Sequence, residues 1–312
     1  MKPLKSNEIK GNWSTLLLCT NKDGTIDFGR MDEELDVLIS SAPDGIYSNG
    51  TSGEFHTQSE VEFDQVNRLL AEKCETAGIP FQIGVSHMSG QLSLERLRRS
   101  VELKPAAVQV ILPDWFPLTN DEAASFLGKM AETAGNIGLV LYNPPHAKRV
   151  LTPYDWGYLK KRVPSLVGVK VSDQGGDEQW YAEVKKHAAD LSVFIPGHNL
   201  ATGIKCGAHG AYSNMACLNP TAAQSWYEQM KKDMSAALEM ESRIQQFMKQ
   251  YIAPLITEYR YSNPACDRFM AVMGGWADVG EHMRWPYRSV PKEWADRIKP
   301  EAEKLIPEFF DR

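Results

Sequence analysis

The chain reads as an α/β protein, a (β/α)8 barrel over residues 1–232 followed by a C-terminal helical extension over residues 233–312. Three observations predict this. Eight short aliphatic runs, each bounded by Gly, Pro or a turn, look like strands buried on both faces, as in a parallel sheet. The stretches between them carry helix-start signals, which makes each unit a strand, a helix and the next strand. The eight units take about 230 residues, the size of one closed barrel rather than two domains.

Taken in order, Trp13–Cys19 is the first strand, closed by the turn Asn21-Lys22-Asp23-Gly24 and followed by a helix near Gly29–Ser41. Asp44–Ser48 is the second and leads into Asn49-Gly50-Thr51-Ser52-Gly53-Glu54. Thr57, with Glu60 three residues on, predicts a capping box for a helix whose Phe63, Val66, Leu70 and Cys74 share a face. Phe81–Val85 and Ala106–Pro113 are strands three and four, and Thr119 with Glu122 predicts a second capping box. Ile137–Leu141 is strand five and stops at Tyr142-Asn143-Pro144-Pro145. Thr152-Pro153-Tyr154-Asp155 then opens a helix with a capping Thr, Pro at the first helical position and an acid in the first turn. Leu166–Val169 is strand six and runs into Lys170-Val171-Ser172-Asp173; Ser192–Gly197 and Gly210–Met215 complete the eight. Beyond them Met234, Ala237, Leu238 and Ile244 mark the apolar stripe of a helix in the extension.

Composition narrows the function. A net charge of -6, with Lys and Arg scattered, gives no reason to expect nucleic acid. Five widely spaced cysteines, without a Cys-x-x-Cys pair, argue against a disulfide framework or a zinc site and suit a reducing cytoplasm. His56, His87, His146, His198 and His209 show no ligand spacing, so neither a metal nor a cofactor is expected. The N-terminus lacks an apolar h-region and no apolar run reaches membrane-spanning length.

Lys170 is the anomaly. Strand alternation puts Val167, Val169 and Val171 on one face and Leu166, Gly168 and Lys170 on the other, and both faces of a parallel sheet are covered. Desolvation would make this lysine a neutral amine, a nucleophile toward a ketone. A strand-end lysine can also reach solvent along its own stem. Barrel sites lie at the C-terminal ends of strands, which gathers Asn49–Glu54, Pro113–Phe116, Tyr142–Pro145, Lys170–Asp173, Gly197–Asn199 and Ser213 on one rim.

At this point the motifs resemble one family. Gly50-Thr51-Ser52-Gly53-Glu54 resembles the Gly-Thr-Thr-Gly-Glu motif of the dihydrodipicolinate synthase / N-acetylneuraminate lyase family. Tyr142-Asn143-Pro144-Pro145 is similar to its Tyr-Asn-x-Pro, and Gly168-Val169-Lys170 to the segment carrying its Schiff-base lysine. Gly207–Ser213 resembles the Gly-Ala-x-Gly-x-x-Ser at its last strand. Asn263-Pro264-Ala265 and Arg284-Trp285-Pro286 extend the likeness into the tail.

The resemblance implies a class I aldolase: Lys170 adds to the ketone of pyruvate or another 2-oxo acid, Tyr142 shuttles protons with Thr51 as relay, and Thr51 and Ser52 hold the carboxylate. Gly50, Trp115, Gly197, Tyr212 and Ser213 would line the pocket. It also implies a homo-oligomer, dimer or tetramer. The departures concern the second substrate. Ala147 stands where the synthases keep a carboxylate-binding arginine, Asp114 and Trp115 replace a tyrosine pair, and Gly197-His198-Asn199 replaces an acidic motif. The expected activity is therefore a Schiff-base lyase, an aldolase or dehydratase. The alternatives are the synthase condensing pyruvate with aspartate semialdehyde, with His146 or Arg149 replacing the missing arginine, and a sensor that kept the pocket without turnover.

Overall fold

The structure, a computed structural model, describes residues 1–172 and 177–311. Eight strands close into a barrel in sequence order, every neighbouring pair parallel: β1 (Gly11–Thr15), β2 (Gly45–Ser48), β3 (Phe81–Gly84), β4 (Ala107–Val110), β5 (Gly138–Tyr142), β6 (Leu166–Lys170), β7 (Ser192–Ile195) and β8 (Gly210–Tyr212). The last strand returns to the first through the register Gly11↔Gly210 and Trp13↔Tyr212. A small inner core of Ile9, Trp13, Tyr47, Ala107, Val140, Val167, Phe194 and Tyr212 fills the barrel, and a larger core lies between the strands and the surrounding helices.

Two local expectations are corrected. Apolar Leu16–Cys19 does not prolong β1: Leu17 N–H instead donates to the buried carboxylate of Glu34, 2.8 Å away, so the chain leaves the sheet while staying in the core. The capping box falls on Ser59 and Glu62 rather than on Thr57 and Glu60, because Phe55–Thr57 form a 3-10 turn first. Glu60 is thereby left free to pair with Arg96 and Arg99. The boxes at Thr119/Glu122 and Thr152/Asp155 form as their spacing predicts, on helices Asn120–Ala134 and Pro153–Arg162.

The alternation along β6 is also interrupted. Leu139 pairs with Leu166 but Val140 pairs with Gly168, so one extra residue, Val167, is bulged. Val167 joins the inner core while Leu166, Val169 and Val171 face the helices. Val167 therefore does not share a face with Val169. Beyond the bulge Lys170 is the register partner of Tyr142 on β5, and both line the barrel's mouth.

The chain beyond the last barrel helix (Pro220–Lys232) is helical. It runs through Met234–Phe247, a π-type turn Met248–Ile252, Ala253–Thr257, Asn263–Gly274 and Lys292–Leu305. The helix Asn263–Gly274 lies against the turn that follows β2. Its Arg268 guanidinium is buried and pairs with buried Glu54 at 2.5 Å, while donating to the carbonyls of Leu18 and Val279, each at 2.7 Å. Every charge in this cluster has a partner, the condition for burying it without a large desolvation loss. Glu54 is also one of few non-glycine residues held at positive φ, +49°, so the ion pair fixes an otherwise unfavourable turn.

Candidate active site

Lys170 opens into a chamber of about 240 Å³ at the C-terminal end of the barrel, lined by Tyr47, Thr51, Ser52, Tyr142, Tyr212, His198 and Asp267 among others. Its Nζ lies 4.3 Å from the ring centre of Tyr142, 4.8 Å from Tyr47 and 5.2 Å from Tyr212. The lysine does not snorkel away. Loss of solvation pushes its pKa down to about 8, partly offset by the carboxylate of Asp267. An appreciable fraction is thus the free amine near neutral pH.

The turn after β2 reaches this lysine because it is built on glycine. A side chain at Gly50 would put its Cβ 2.7 Å from the Tyr47 ring and 3.6 Å from Lys170 Nζ. Thr51 Oγ1 donates to the Tyr142 hydroxyl at 3.0 Å, a ready path for a proton between strands β2 and β5. Burial pushes the Tyr142 phenol up to about 12 even against that bond, so it is neutral and able to donate. Tyr212 is fixed from below by a 2.7 Å bond to Gln82, and its ring stacks on Phe194 at 4.5 Å.

A second chamber of about 710 Å³ continues outward from Thr51, Tyr142 and Pro145. Its walls are mainly apolar: Phe55, Met88, Ile111, Leu112, Leu118, Ile256 and Tyr287. His56, His146 and Arg149 stand at its edge. Arg149 is committed elsewhere, donating to the Leu118 carbonyl and Asn120 at 2.5 Å each and pairing with Asp155 at 3.1 Å. Ala147 lines this chamber without offering a charge.

Of the residues expected at the site, Lys170, Tyr142, Thr51, Ser52 and Tyr212 meet in the inner chamber, and Gly50 forms its backbone edge. Gly197 and Ser213 stack on each other behind the wall, where a Gly197 Cβ would sit 2.5 Å from Ser213 Oγ. The Trp115 ring lies outside both chambers, 74% exposed, with Lys148 Nζ 4.8 Å above it. Asp173 lies outside the described residues. Sequence reasoning missed Asp267, from the helix Asn263–Gly274, which accepts a hydrogen bond from the Ser52 hydroxyl. Asp267 and Arg268 are the only charged residues of that otherwise apolar helix, a signal that could have singled them out.

A parallel barrel with a desolvated amine at a strand end and a hydroxyl relay beside it defines a lyase of the class I aldolase type. Comparison with known proteins agrees. The model of the dihydrodipicolinate synthetase family matches residues 8–305, and the chain belongs to that family. A 4-hydroxy-tetrahydrodipicolinate synthase of Alkaliphilus oremlandii is 24% identical over 239 residues, 76% of this chain and 80% of that one. The probable 2-dehydro-3-deoxy-D-pentonate aldolase YjhH of Escherichia coli K12 is 23% identical over 252 residues, 78% of this chain and 82% of that one. The crystal structure of YagE, a prophage protein of the dihydrodipicolinic acid synthase family from E. coli K12 in complex with pyruvate, matches with a TM-score of 0.83. It is 17% identical and covers 95% of this chain and 98% of that one, a likeness of fold.

Proposed function

We propose that this protein cleaves or dehydrates a 2-oxo acid, pyruvate-derived at its carboxylate end, through a Schiff base on Lys170. The observation that carries this reading is the Lys170 amine, desolvated and set against three tyrosine rings beside the Thr51–Tyr142 pair. The amine adds to the C2 carbonyl, and the carbinolamine loses water to a protonated imine. Tyr142, relayed by Thr51, supplies and recovers the protons at the hydroxyl that leaves. In aldol cleavage the C4 hydroxyl loses its proton, the C3–C4 bond breaks, and its electrons flow into the imine as an enamine. In dehydration the C3 proton leaves instead, and the enamine expels the C4 hydroxyl as water. After cleavage the enamine is protonated at C3, and in either route water hydrolyses the remaining imine, restoring the C2 carbonyl and the free lysine.

The far end of the substrate would occupy the outer chamber. Its apolar walls favour the carbon face of a polyol chain or an aromatic group over a second carboxylate. Arg149 is held by Asp155 and two acceptors, which argues against its swinging in as a carboxylate fork. The names of the relatives span a synthase and a pentonate aldolase, and the missing arginine favours the aldolase side. The working form would be a cytoplasmic homo-oligomer, with exposed Trp115 and Phe116 available to a neighbouring copy. Among the described residues no helix is long and apolar enough to cross a membrane.

The experiment is a comparison of kcat/KM for 2-oxo-3-deoxy sugar acids, an aromatic 2-oxo acid aldol adduct, and pyruvate with aspartate semialdehyde. Release of pyruvate reports cleavage, and loss of one water from the intact carbon skeleton reports dehydration. Efficient condensation with aspartate semialdehyde, selectively lost in Arg149→Ala, would overturn the choice of substrate class.

A further inference from the structure

The turn expected to hold the substrate's carboxylate has already spent its hydroxyl protons. Thr51 donates to Tyr142, and Ser52 donates to Asp267. A carboxylate needs donors, and an ionised Asp267 is itself a carboxylate on the same hydroxyl. The charge balance gives the same warning. Lys170 and Asp267 together make the chamber neutral, so an incoming carboxylate would leave one uncompensated negative charge in a desolvated space.

We infer that Asp267 is a proton-linked part of the carboxylate subsite: the 2-oxo acid binds together with one proton, which Asp267 holds. Protonated Asp267 donates to Ser52 Oγ, and the Ser52 hydroxyl turns to donate to the substrate. Starting from the Lys170 ammonium and the Asp267 carboxylate, the 2-oxo acid anion and one proton give the protonated imine, the neutral Asp267 acid and one water. The lysine's two lost hydrogens leave with the carbonyl oxygen, so Lys170 needs no proton from solvent and the uptake belongs to Asp267. This rests on the Schiff-base reading of the site.

The surroundings fit that role. The groups facing Asp267 are Lys170 from β6, Tyr47 from β2, Tyr142 from β5, Cys217 from the short helix Met215–Leu218 after β8 and its own neighbour Cys266. Apart from Lys170, burial raises the pKa of all four of these groups, well above the ordinary value in Cys217 and Tyr47 and to about 12 in Tyr142 and Cys266, so they stay uncharged. His198 lines the same chamber. Arg268, the next residue, is turned to Glu54. Burial already lifts Asp267 to about 6, against the Ser52 bond and the Lys170 charge, and a second carboxylate nearby would lift it further.

The test is calorimetric titration of the full chain with pyruvate from pH 5 to 7.5, in pairs of buffers with different ionisation heats. The window stays below the lysine's pKa of about 8. The expected result is uptake approaching one proton per site near pH 7, falling toward none at pH 5. Affinity should drop by about tenfold per pH unit above the Asp267 pKa. Asp267→Asn, neutral throughout, should flatten that dependence and bind pyruvate roughly tenfold or more tightly than wild type at pH 7.5. His198→Gln should keep the wild-type slope. Pyruvate binding without proton uptake, a slope surviving in Asp267→Asn, or a slope abolished by His198→Gln overturns the inference while leaving the Schiff base standing. No pyruvate binding at any pH overturns the reading of the site itself. The wild-type proton count decides the question even if Asp267→Asn does not fold.

Discussion

The two chambers differ in everything but their shared wall. The inner one holds about 240 Å³ and gathers an amine, a carboxylate, two hydroxyls and three tyrosines; the outer one holds about 710 Å³ and is mostly aliphatic and aromatic. The larger space lacks the lysine, so size alone would misplace the chemistry. The contrast separates two jobs. Under the proposed function, residues of the inner chamber would act on bonds around C2, and those of the outer chamber would decide what is attached to them.

Tyr142→Phe should break the inner chamber most clearly. It keeps the ring beside Lys170 but removes the proton relay, and kcat should fall by roughly 10²–10⁴-fold while imine formation persists. An unchanged rate would return Tyr142 to a packing role. Beneath the same chamber, Glu54→Gln strands the Arg268 guanidinium in the core and should cost about 3–5 kcal/mol in denaturant unfolding.

Lys170→Met tests the energetic cost of the amine. Its folded pKa of about 8 lies below the ordinary lysine value of 10.5, so the folded state is penalised whenever the lysine is charged. That penalty is fully present below pH 8 and fades as pH rises toward 10.5. The variant should therefore be more stable than wild type by about 3 kcal/mol at pH 7, with the difference shrinking in alkaline solution. A variant less stable at pH 7 would mean the lysine is held by attraction rather than forced into place. For the outer chamber, Leu112→Asp should lower kcat/KM about tenfold for acids with a long distal group and leave pyruvate binding unchanged. Equal losses for both would merge the chambers into one site.

The inner chamber was legible in sequence where local pattern carries it. Lys170 broke an aliphatic strand, Tyr142 ended one, and the Gly-Thr-Ser-Gly turn had no other reason to be so short and polar. Strand order and barrel closure followed from the eightfold rhythm. What was lost came from packing that no local pattern records. The bulge at Val167 depends on how β5 and β6 pair, so simple alternation put that residue on the wrong face. The seat of Ser59 as cap follows from a 3-10 turn whose Phe55 faces the outer chamber. Asp267 sits 97 residues beyond Lys170 and 215 beyond Ser52, so only the folded extension brings it to the turn. Trp115 looked like a pocket wall because it follows strand four, yet its ring turns outward onto Lys148.

The central claim is that Lys170 is the group that bonds to substrate. Its most direct test is incubation with pyruvate and borohydride, followed by intact-mass and peptide mass spectrometry of wild type and Lys170→Ala. The account predicts a single irreversible adduct per chain, confined to the peptide containing Lys170 and absent from the variant. An adduct on a different lysine, or none with any 2-oxo acid, would contradict it.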